Sequence, residues 1–575
     1  MSTSRTSQAH GETWIRRSTS MASAAAVAAM FLAGAVAPAA SASVQAAPSA
    51  STTAALAVPA AGVGPLARYV VRAHPGHLPE LVAALQAAAV PVEGTLDIVD
   101  SAVARLSAGQ AAALSGSPSV VQVTADAPVQ LAGSSYDPSS DANSMSNIDD
   151  LVNADQAWAA GATGQGVDVA LVDSGVSPVQ GLASDGQVVN GPDLSFESQS
   201  DSTRYLDTFG HGTFMAGLIA GHDPGVVADP TAESAYQGVA PGARIVSVKV
   251  ADSHGRTDVT QVLAGIDWVV QHAQDNGLNI RVLNLSFGTD SVQPYVLDPL
   301  AYAAEVAWRH GIVVVVSSGN KPGNQLADPA IDPFVIAVGA LDTNGTLRRY
   351  DDSVATFTAT GSYRRSIDVV SPGVHVQGLR VPGSYIDLRY GSTGRLGDRF
   401  FRGSGTSQAA AITSGVVALM LSARPNLTPD QVKGLLSSTG WTVPRGPSYG
   451  AQIPNALRAS FGGRVGPATQ QFFRPSTGTG LLELSRGSMH VTQGGSVLAG
   501  EQDIFGNSVD AAALAAVEAA GASWDGGVWN GASWAGASWA GASWDSTVWA
   551  GASWDGASWD GASWDGLGWS GEAWS

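Results

Sequence analysis

The chain of 575 residues contains no cysteine. This absence excludes disulfide bonds, thiolate nucleophiles and zinc sites built on cysteine. Charged residues are also scarce, at 13%, and 29 Lys and Arg stand against 48 Asp and Glu for a net charge of −19. Because such a chain repels phosphate backbones and anionic membrane surfaces, nucleic acid is not an expected partner. The hydrophobic fraction of 45% predicts several globular units.

Long apolar runs are scarce outside the N-terminus. Arg16 and Arg17 precede the apolar run of residues 21–37, which is followed by an Ala-Ser-Ala triplet at residues 40–42. This pattern predicts a signal peptide over residues 1–47 and a secreted, extracellular mature protein, with either the general or the twin-arginine route open. We expect no later run to be long and apolar enough for a stable membrane span once the signal is removed.

A small unit is expected next. An Ala/Pro/Ser-rich linker occupies residues 48–65, and residues 66–131 alternate between extended and helical patterns. The order predicts a small α+β ferredoxin-like domain of the split βαβ kind. His74, His77 and Glu80 have loosely metal-like spacing, but the two prolines among them favour an exposed loop.

The central part of the chain has a different pattern. Residues 132–150 are rich in Ser, Asp and Asn, which predicts an accessible processing linker. From 151 to 445, apolar strands alternate with helices, so we expect a doubly wound α/β domain with a mostly parallel sheet. In such a sheet, sites form at the carboxyl ends of the strands.

Four polar residues occur where a sheet of this kind places its site. Asp173 ends an apolar strand, His211 and Ser407 begin helices, and Asn320 follows a strand. Each has an ordinary explanation when taken alone, as a turn or cap residue. Together they supply a hydroxyl, an imidazole to take its proton, a carboxylate to orient the imidazole, and an amide donor for an oxyanion, which are the parts that acyl transfer needs.

Five motifs resemble those of the subtilisin-like serine proteases. They are VALVDSG at 169–175, HGTFMAG at 211–217, GVAPGA at 238–243, SGN at 318–320 and GTS at 405–407. They follow the family's order Asp, His, Ser. The resemblance implies the subtilisin-like fold and a serine endopeptidase that acts on protein or peptide substrates. By this resemblance, Ser407 is the nucleophile, His211 the general base and then the general acid, Asp173 the orienting carboxylate, and Asn320 the oxyanion donor.

The same resemblance implies further roles. The backbone at Ser286, Phe287 and Gly288, with Ser318 and Gly319, is the expected substrate-binding surface, where an extended peptide pairs as an added strand. Residues 66–131 resemble the family's propeptide, which helps the protease to fold, blocks its cleft and is then cut off. The enzyme is therefore expected to be a self-processing proenzyme.

No cofactor is expected to be required, and no metal-site residue is assigned. Asp193 matches a position that the family uses for structural calcium. Residues 223–236, where the family often folds a calcium loop, match poorly, so structural calcium stays an open alternative.

The C-terminal part divides in two. Residues 446–520 are Gly-rich and predict a linker or a small β-rich module, and residues 521–575 repeat Gly-Ala-Ser-Trp-Asp with Trp at every fifth residue. Because a period of five follows neither a helix face nor a strand face, we expect a coil with a corner every five residues, or a flexible chain. The tail is interpreted as a β-solenoid or as a binding tail for cell-wall glycan or protein, against low-complexity sequence without a ligand.

Two other functions compete with a peptidase. One is a catalytically idle scaffold that binds the cell wall or a protein through the tail, and the intact set of catalytic residues opposes it. The other is an esterase of the α/β-hydrolase type, which needs a Gly-x-Ser-x-Gly elbow that Ser407 lacks. The sequence therefore predicts a secreted, self-processing serine endopeptidase, with cell-wall association as a further expectation.

Overall fold

The computed structural model describes residues 66–126, 138–464, 470–493, 496–525 and 527–533. The predicted signal peptide and first linker, and the Trp repeat beyond residue 533, lie outside these residues. The chain forms two compact units, divided between residues 130 and 131.

The first unit is a four-stranded antiparallel sheet with two helices. Its elements are β1 (Ala67–Ala73), α1 (Leu78–Ala87), β2 (Val92–Leu96), β3 (Ser101–Leu106), α2 (Ala108–Ser115) and β4 (Val120–Ala125). The strand order β2-β3-β1-β4 agrees with the split βαβ pattern. Ser107 begins α2 with a capping box, because its Oγ accepts the N–H of Gln110 while the Gln110 side chain accepts the N–H of Ser107.

The second unit contains the remaining elements. Its helices are α3 (Met145–Leu151), α4 (Ala154–Ala159), α5 (His211–Ala220), α6 (Val259–His272), α7 (Pro299–Arg309), α8 (Tyr385–Gly394), α9 (Thr406–Ala423), α10 (Pro429–Thr439), α11 (Leu482–Arg486) and α12 (Ala511–Ala519). Its strands are β5 (Asp168–Asp173), β6 (Val188–Asp193), β7 (Arg244–Lys249), β8 (Ile280–Leu285), β9 (Val313–Ser317), β10 (Ile336–Asp342), β11 (Ser353–Val354), β12 (Gly361–Ser362), β13 (Arg365–Ser366), β14 (Val369–Pro372), β15 (Val376–Leu379), β16 (Arg395–Leu396), β17 (Phe400–Gly403), β18 (Trp441–Thr442), β19 (Gln452–Ile453), β20 (Thr492–Gln493), β21 (Ser496–Val497), β22 (Trp524–Asp525), β23 (Val528–Trp529) and β24 (Ala532–Ser533).

The main sheet follows the order β18-β19-β14-β10-β9-β8-β5-β7-β6. The strands from β19 to β6 pair in parallel, and only the edge strand β18 and the short β11 pair antiparallel. Strands β5 and β9 are buried along their whole length, which explains their continuous apolar runs. Helices α5 and α9 pack together, as do α6 and α7. The predicted α/β architecture with a mostly parallel sheet is confirmed.

One described helix is long and apolar enough to cross a membrane by length and composition, and it is α9. The prediction that no later run is long and apolar enough to span a membrane is therefore wrong by length and composition. Nevertheless, 89% of the residues of this helix are buried within the protein. It is the core helix on which the main sheet packs, and Ser407 lies in its first turn.

The predicted processing linker at 132–150 is wrong for its last part. Helix α3 begins at Met145, after Ser144, whose Oγ accepts the N–H of Asn147 at 3.3 Å. Met145 and Ile148, three residues apart, are 1% and 0% exposed. Together with Leu151 at the end of the helix, these apolar residues dock a segment that is otherwise mostly polar.

The prediction of a linker or small β-rich module at 446–520 does not describe this segment, which packs into the second unit. Strand β19 joins the main sheet, and Leu482, Val491 and Leu514 belong to the same hydrophobic core as β5 and α9. Arg486 is fully buried and donates from Nε to Oδ2 of Asp258 at 2.7 Å. Before α12, the apolar residues of this segment are scattered among glycine-rich turns without a regular period, although Leu482 and Val491 enter the core.

Candidate active site

Asp173 and His211 meet at the carboxyl end of β5. Nδ1 of His211 lies 2.8 Å from Oδ1 and 3.0 Å from Oδ2 of Asp173, and both residues are 1% exposed. Asp173 also accepts the N–H of Ser174 at 2.7 Å. The carboxylate therefore holds the imidazole in one orientation, with Nδ1 toward Asp173.

The start of α5 is fixed by a second buried carboxylate, that of Asp207. It accepts the N–H of Gly210 at 2.6 Å and that of Thr213 at 2.8 Å, and the Ser174 hydroxyl at 2.8 Å. Burial raises the pKa of Asp207, although these N–H groups favour its charged form. Because α5 begins at His211, this carboxylate determines where the imidazole stands.

Lys249, on β7, joins the hydrogen-bond network that contains Asp173, Ser174 and Asp207. It is 1% exposed, it is paired in register with Asp173 across the sheet, and its Nζ donates to the carbonyl of Ser174 at 2.7 Å. The ammonium also lies 3.0 Å from Oε2 of Glu197. A buried cation thus balances part of the acidic charge behind the site.

Ser407 lies in the first turn of α9, which packs directly against α5. It is fully buried in this structure, and its Oγ donates to the carbonyl of Ser286 at 3.1 Å. The Ser286 hydroxyl accepts from Nδ2 of Asn284 at 2.7 Å, while Oδ1 of Asn284 accepts the Ser414 hydroxyl at 2.9 Å. A chain of buried hydrogen bonds therefore joins the serine to the predicted substrate strand.

Asn320 lies beside the same helix start. Its Oδ1 accepts two hydrogen bonds from Thr406, one from the N–H and one from the hydroxyl, both at 2.9 Å. The Thr406 hydroxyl also accepts the N–H of Gly319 at 3.2 Å. These two bonds from Thr406 fix the oxygen end of the Asn320 amide at the start of α9.

The predicted substrate-binding segments lie close together. Thr289, directly after Gly288, exchanges both backbone hydrogen bonds with Asp328, at 2.9 Å each. A Cβ at Gly288 would meet Cβ of Ala327 at 2.7 Å, so glycine permits a close approach here. The carbonyl of Ser318 takes part in the same packing, since it accepts the N–H of Ala327 at 2.9 Å.

Asp193, the residue considered for calcium, is engaged by the protein. Its Oδ1 accepts from the N–H and hydroxyl of Ser195, and its Oδ2 accepts the N–H of Tyr205 at 2.9 Å. Within the described parts of the chain, no three His, Asp and Glu side chains lie close enough together to hold one metal ion.

The first two tryptophans of the repeat pack onto the second unit. The indole N–H of Trp524 donates to the carbonyl of Ala264 at 2.9 Å, and Gln271 exchanges two hydrogen bonds with the backbone of Trp524. Trp524 lies directly opposite Trp529 in the antiparallel β22-β23 pair. The next corner, at Asn530 and Gly531, has positive φ at both residues, as a type I′ hairpin turn requires.

The structure brings Asp173 against His211 and places Asn320 beside the helix start that carries Ser407. Sequence reasoning missed the residues that support them, above all Asn284, Thr406 and Lys249. A signal was present for two of these, because Asn284 and Lys249 are polar residues next to apolar ones in strands that are mostly apolar.

The subtilase family model (Peptidase_S8) matches residues 164–463. The chain is similar to the serine protease AprX of Bacillus subtilis (strain 168), with 37% identity over 304 residues, which cover 51% of this chain and 66% of AprX. It is similar to subtilisin DY of Bacillus licheniformis, with 32% identity over 315 residues that cover 54% of this chain and 96% of that protein. A third relative, the minor extracellular protease Epr of Bacillus subtilis (strain 168), is 30% identical over 283 residues, covering 49% of this chain and 36% of Epr.

Proposed function

The chain belongs to the subtilase family, and on this basis we propose that it is a secreted serine endopeptidase that hydrolyses peptide bonds through an acyl-enzyme on Ser407. The observation that carries the proposal is the buried contact of His211 Nδ1 with both oxygens of Asp173. A histidine held in this way presents its other ring nitrogen for proton transfer.

In the proposed reaction, Oγ of Ser407 attacks the scissile carbonyl carbon and its proton passes to Nε2 of His211. Asp173 stabilises the imidazolium that forms. The negative carbonyl oxygen is held by Nδ2 of Asn320 and by the N–H of Ser407, which lies at the positive end of the α9 dipole. His211 then returns the proton to the leaving amine, and water hydrolyses the acyl-enzyme by the same route.

We assign substrate binding to the backbone of Ser286, Phe287 and Gly288, with Gly319 and Ser318 on the facing wall. The hydrogen bond from the Ser407 hydroxyl to the Ser286 carbonyl supports this assignment, because the segment that follows β8 then lies next to Ser407. An extended peptide would lie along the strand as an added strand.

Four further parts belong to the proposal. Residues 66–131 act as a propeptide, which the protease removes itself, and their independent compact fold supports a separable domain. Export follows from the predicted signal peptide. Structural calcium remains a prediction. Contact of the Trp tail with cell-wall glycan or protein also remains one, and it would rest on later repeats, because Trp524 and Trp529 are buried against the second unit.

Intact mass spectrometry of protein from culture medium tests this function. We expect wild type to lack residues 66–131 and to gain the mass of one serine-directed covalent inhibitor, whereas Ser407→Ala keeps the propeptide and takes no label. Ser422→Ala, a serine in the last turns of the same helix, is the matched control and should behave as wild type. An unlabelled wild type that is folded and correctly trimmed would instead support the idle scaffold.

A further inference from the structure

Part of the chain beyond the family match packs beside the predicted substrate strand. The family model ends at residue 463, whereas residues 480–488, which contain α11, follow it. We refer to residues 480–488 as the supporting segment. We refer to residues 289–293, which come directly after Gly288, as the connecting loop. The two are far apart in sequence but share a set of hydrogen bonds.

The supporting segment holds the connecting loop at both of its ends. The Thr289 hydroxyl donates to the carbonyl of Ser485 at 2.5 Å. Nε2 of Gln293 donates to the carbonyl of Leu481 at 2.8 Å, and Oε1 of Gln293 accepts the N–H of Leu481 at 3.2 Å. Thr289 is 7% exposed and Gln293 is 8% exposed. These hydrogen bonds are therefore shielded from water, where breaking them is costly.

The middle of the connecting loop is held through Asp290. Its Oδ1 accepts the N–H of Ser488 at 2.7 Å, and its Oδ2 accepts the Ser488 hydroxyl at 2.6 Å. Although burial acts to raise the pKa of Asp290, the hydrogen bonds from Ser488 lower it below its usual range. The carboxylate is therefore charged when it binds the supporting segment, and hydrogen bonds to a charged group are among the stronger ones.

Gly487 permits the close approach of the two segments. Its φ of +61° lies in the region that favours glycine. A Cβ at this position would lie 2.6 Å from the carbonyl oxygen of Asp290 and would also meet Oδ1 of the same residue. A side chain at residue 487 would therefore displace the connecting loop.

A second link reaches the facing wall of the predicted cleft. The Ser485 hydroxyl donates to Oδ1 of Asp298, the N-cap of α7, at 2.8 Å. Asp298 lies beside Asp328, whose backbone exchanges two hydrogen bonds with Thr289. Burial raises the pKa of Asp328 well above its usual range, and the charge of Asp298 adds to the effect. Asp328 is therefore protonated and donates to Asp298, which ties the wall to the same support.

We propose that the supporting segment is a positioning element for the substrate, because it fixes the connecting loop and thereby the backbone of residues 286–288 with which an extended peptide pairs. This inference rests on the proposed peptidase function. The hydrogen bonds described above go to the connecting loop and to Asp298, and not to Asp173, His211 or Ser407. A shift of the loop should therefore impair an extended peptide more than a small substrate that needs only the catalytic residues.

Gly487→Ala in the full chain tests the proposal. Activity is expressed per active site, counted with a serine-directed covalent inhibitor, on a succinyl-blocked tetrapeptide p-nitroanilide and on p-nitrophenyl acetate. We expect kcat/KM on the peptide to fall about 10- to 100-fold, since a displacement of about 1 Å can cost about 100-fold. On the ester we expect a loss of less than about 3-fold, because the ester pairs with no strand.

Gly506→Ala is the matched control. Gly506 also has a positive φ, of +80°, and lies in the same C-terminal part of the second unit, but no described atom lies within 4 Å of a Cβ placed there. It should keep wild-type kcat/KM on both substrates. Thr289→Val serves if Gly487→Ala does not fold, because it removes only the hydroxyl bond to Ser485. We expect it to lower kcat/KM on the peptide about 3- to 10-fold, as loss of one hydrogen bond does.

Two results would overturn the positioning role. One is an equal loss on the peptide and on the ester, and the other is a peptide kcat/KM in Gly487→Ala and Thr289→Val that matches that of Gly506→Ala. A wild type that hydrolyses neither substrate and takes no inhibitor would overturn the proposed function, and this inference with it. An active wild type therefore separates failure of the inference from failure of the function.

Discussion

Trp529 donates its indole N–H to Oδ2 of Asp267 at 2.6 Å, which joins the Trp repeat to a buried carboxyl group of α6. Trp529 is 0% exposed and Asp267 is 2% exposed. Glu518 of α12 is buried beside them and interacts with Asp267. We refer to residues 511–525 and 527–533 as the C-terminal clasp. This segment packs on α6, and the buried acids Asp267 of α6 and Glu518 of the segment interact there.

We predict that the C-terminal clasp loosens as pH rises. Burial raises the pKa of Asp267 to about 7, against the hydrogen bonds from Trp529 and Ser523, and raises that of Glu518 well above its usual range. Since the folded state favours the protonated forms, the stabilisation is complete below the unfolded pKa of roughly 4 and is lost as pH rises through the folded values. Hydrogen exchange of the clasp amides, corrected for intrinsic rates, should be faster at pH 8 than at pH 5.

Two other ionisable groups near Asp267 and Glu518 need to be considered in the hydrogen-exchange experiment. Tyr302 donates its hydroxyl to the carbonyl of Ala515, and Arg309 acts on Tyr302 as a nearby positive charge. Asp267→Asn keeps an acceptor for Trp529 but cannot ionise, so it should reduce the difference between the two pH values. Equal protection of the wild-type clasp at pH 5 and pH 8 would contradict the prediction.

Asn320→Ala should lower kcat by about 100- to 1000-fold, which is the loss that removal of one oxyanion donor causes in subtilisin, a member of the same family. KM should change little, because the donor acts mainly on the charge of the transition state. Steady-state kinetics on a peptide amide measures both. Thr406→Val, which removes one of the two donors holding Oδ1 of Asn320, should give a smaller loss of kcat. Unchanged turnover in Asn320→Ala would remove this residue from the oxyanion site.

Gly288→Ala should lower kcat/KM by displacing the substrate strand. The new Cβ would meet Cβ of Ala327 at 2.7 Å and the carbonyl of Asp328 at 2.8 Å, so one of the two segments has to move. Gly462→Ala is the control, since a Cβ there meets only Cβ of Arg458 at 3.8 Å. If the two variants have equal kcat/KM on peptide substrates, the close packing at Gly288 is not used in catalysis.

Arg486→Met should destabilise the second unit by about 3–5 kcal/mol, because it leaves the carboxylate of Asp258 buried without its cation. Denaturant unfolding in the Ser407→Ala background measures this loss without self-digestion. Lys321→Met breaks an exposed pair with Asp290 at 4.0 Å and should cost less than about 1 kcal/mol. Similar unfolding midpoints for the two variants would show that the chain after residue 446 folds separately from the peptidase core.

The candidate site residues could be predicted from the sequence because each lies in a short motif. The backbone conformation at that point restricts which residue types can stand next to it. Asp173 needs a strand end, and His211 and Ser407 need helix starts, so their surroundings are local in sequence. The residues that hold them in place are distant in sequence. For example, Asn284 accepts a hydrogen bond from Ser414, which lies 130 residues further along the chain. No periodicity encodes such a pair.

The parts predicted wrongly share a physical cause. Helix α3 and the segment from 446 onward pack on elements that are distant in sequence, such as β15 for α3 and α7 for α12. The repeat was a different case. The described part of the repeat forms antiparallel hairpins, and the burial of Trp524 and Trp529 depends on α6, which the repeat itself does not reveal.

The pairing of Trp524 with Trp529 also bears on how the number of repeats in the tail can change during evolution. Residues directly opposite in an antiparallel pair share one face, so a spacing of five residues, which includes the corner, returns the indole to the same side. A gene that gains or loses a whole unit of fifteen nucleotides keeps this spacing and the reading frame. Such a change in tail length would leave the pairing of Trp524 with Trp529, and their contacts with α6, unaltered.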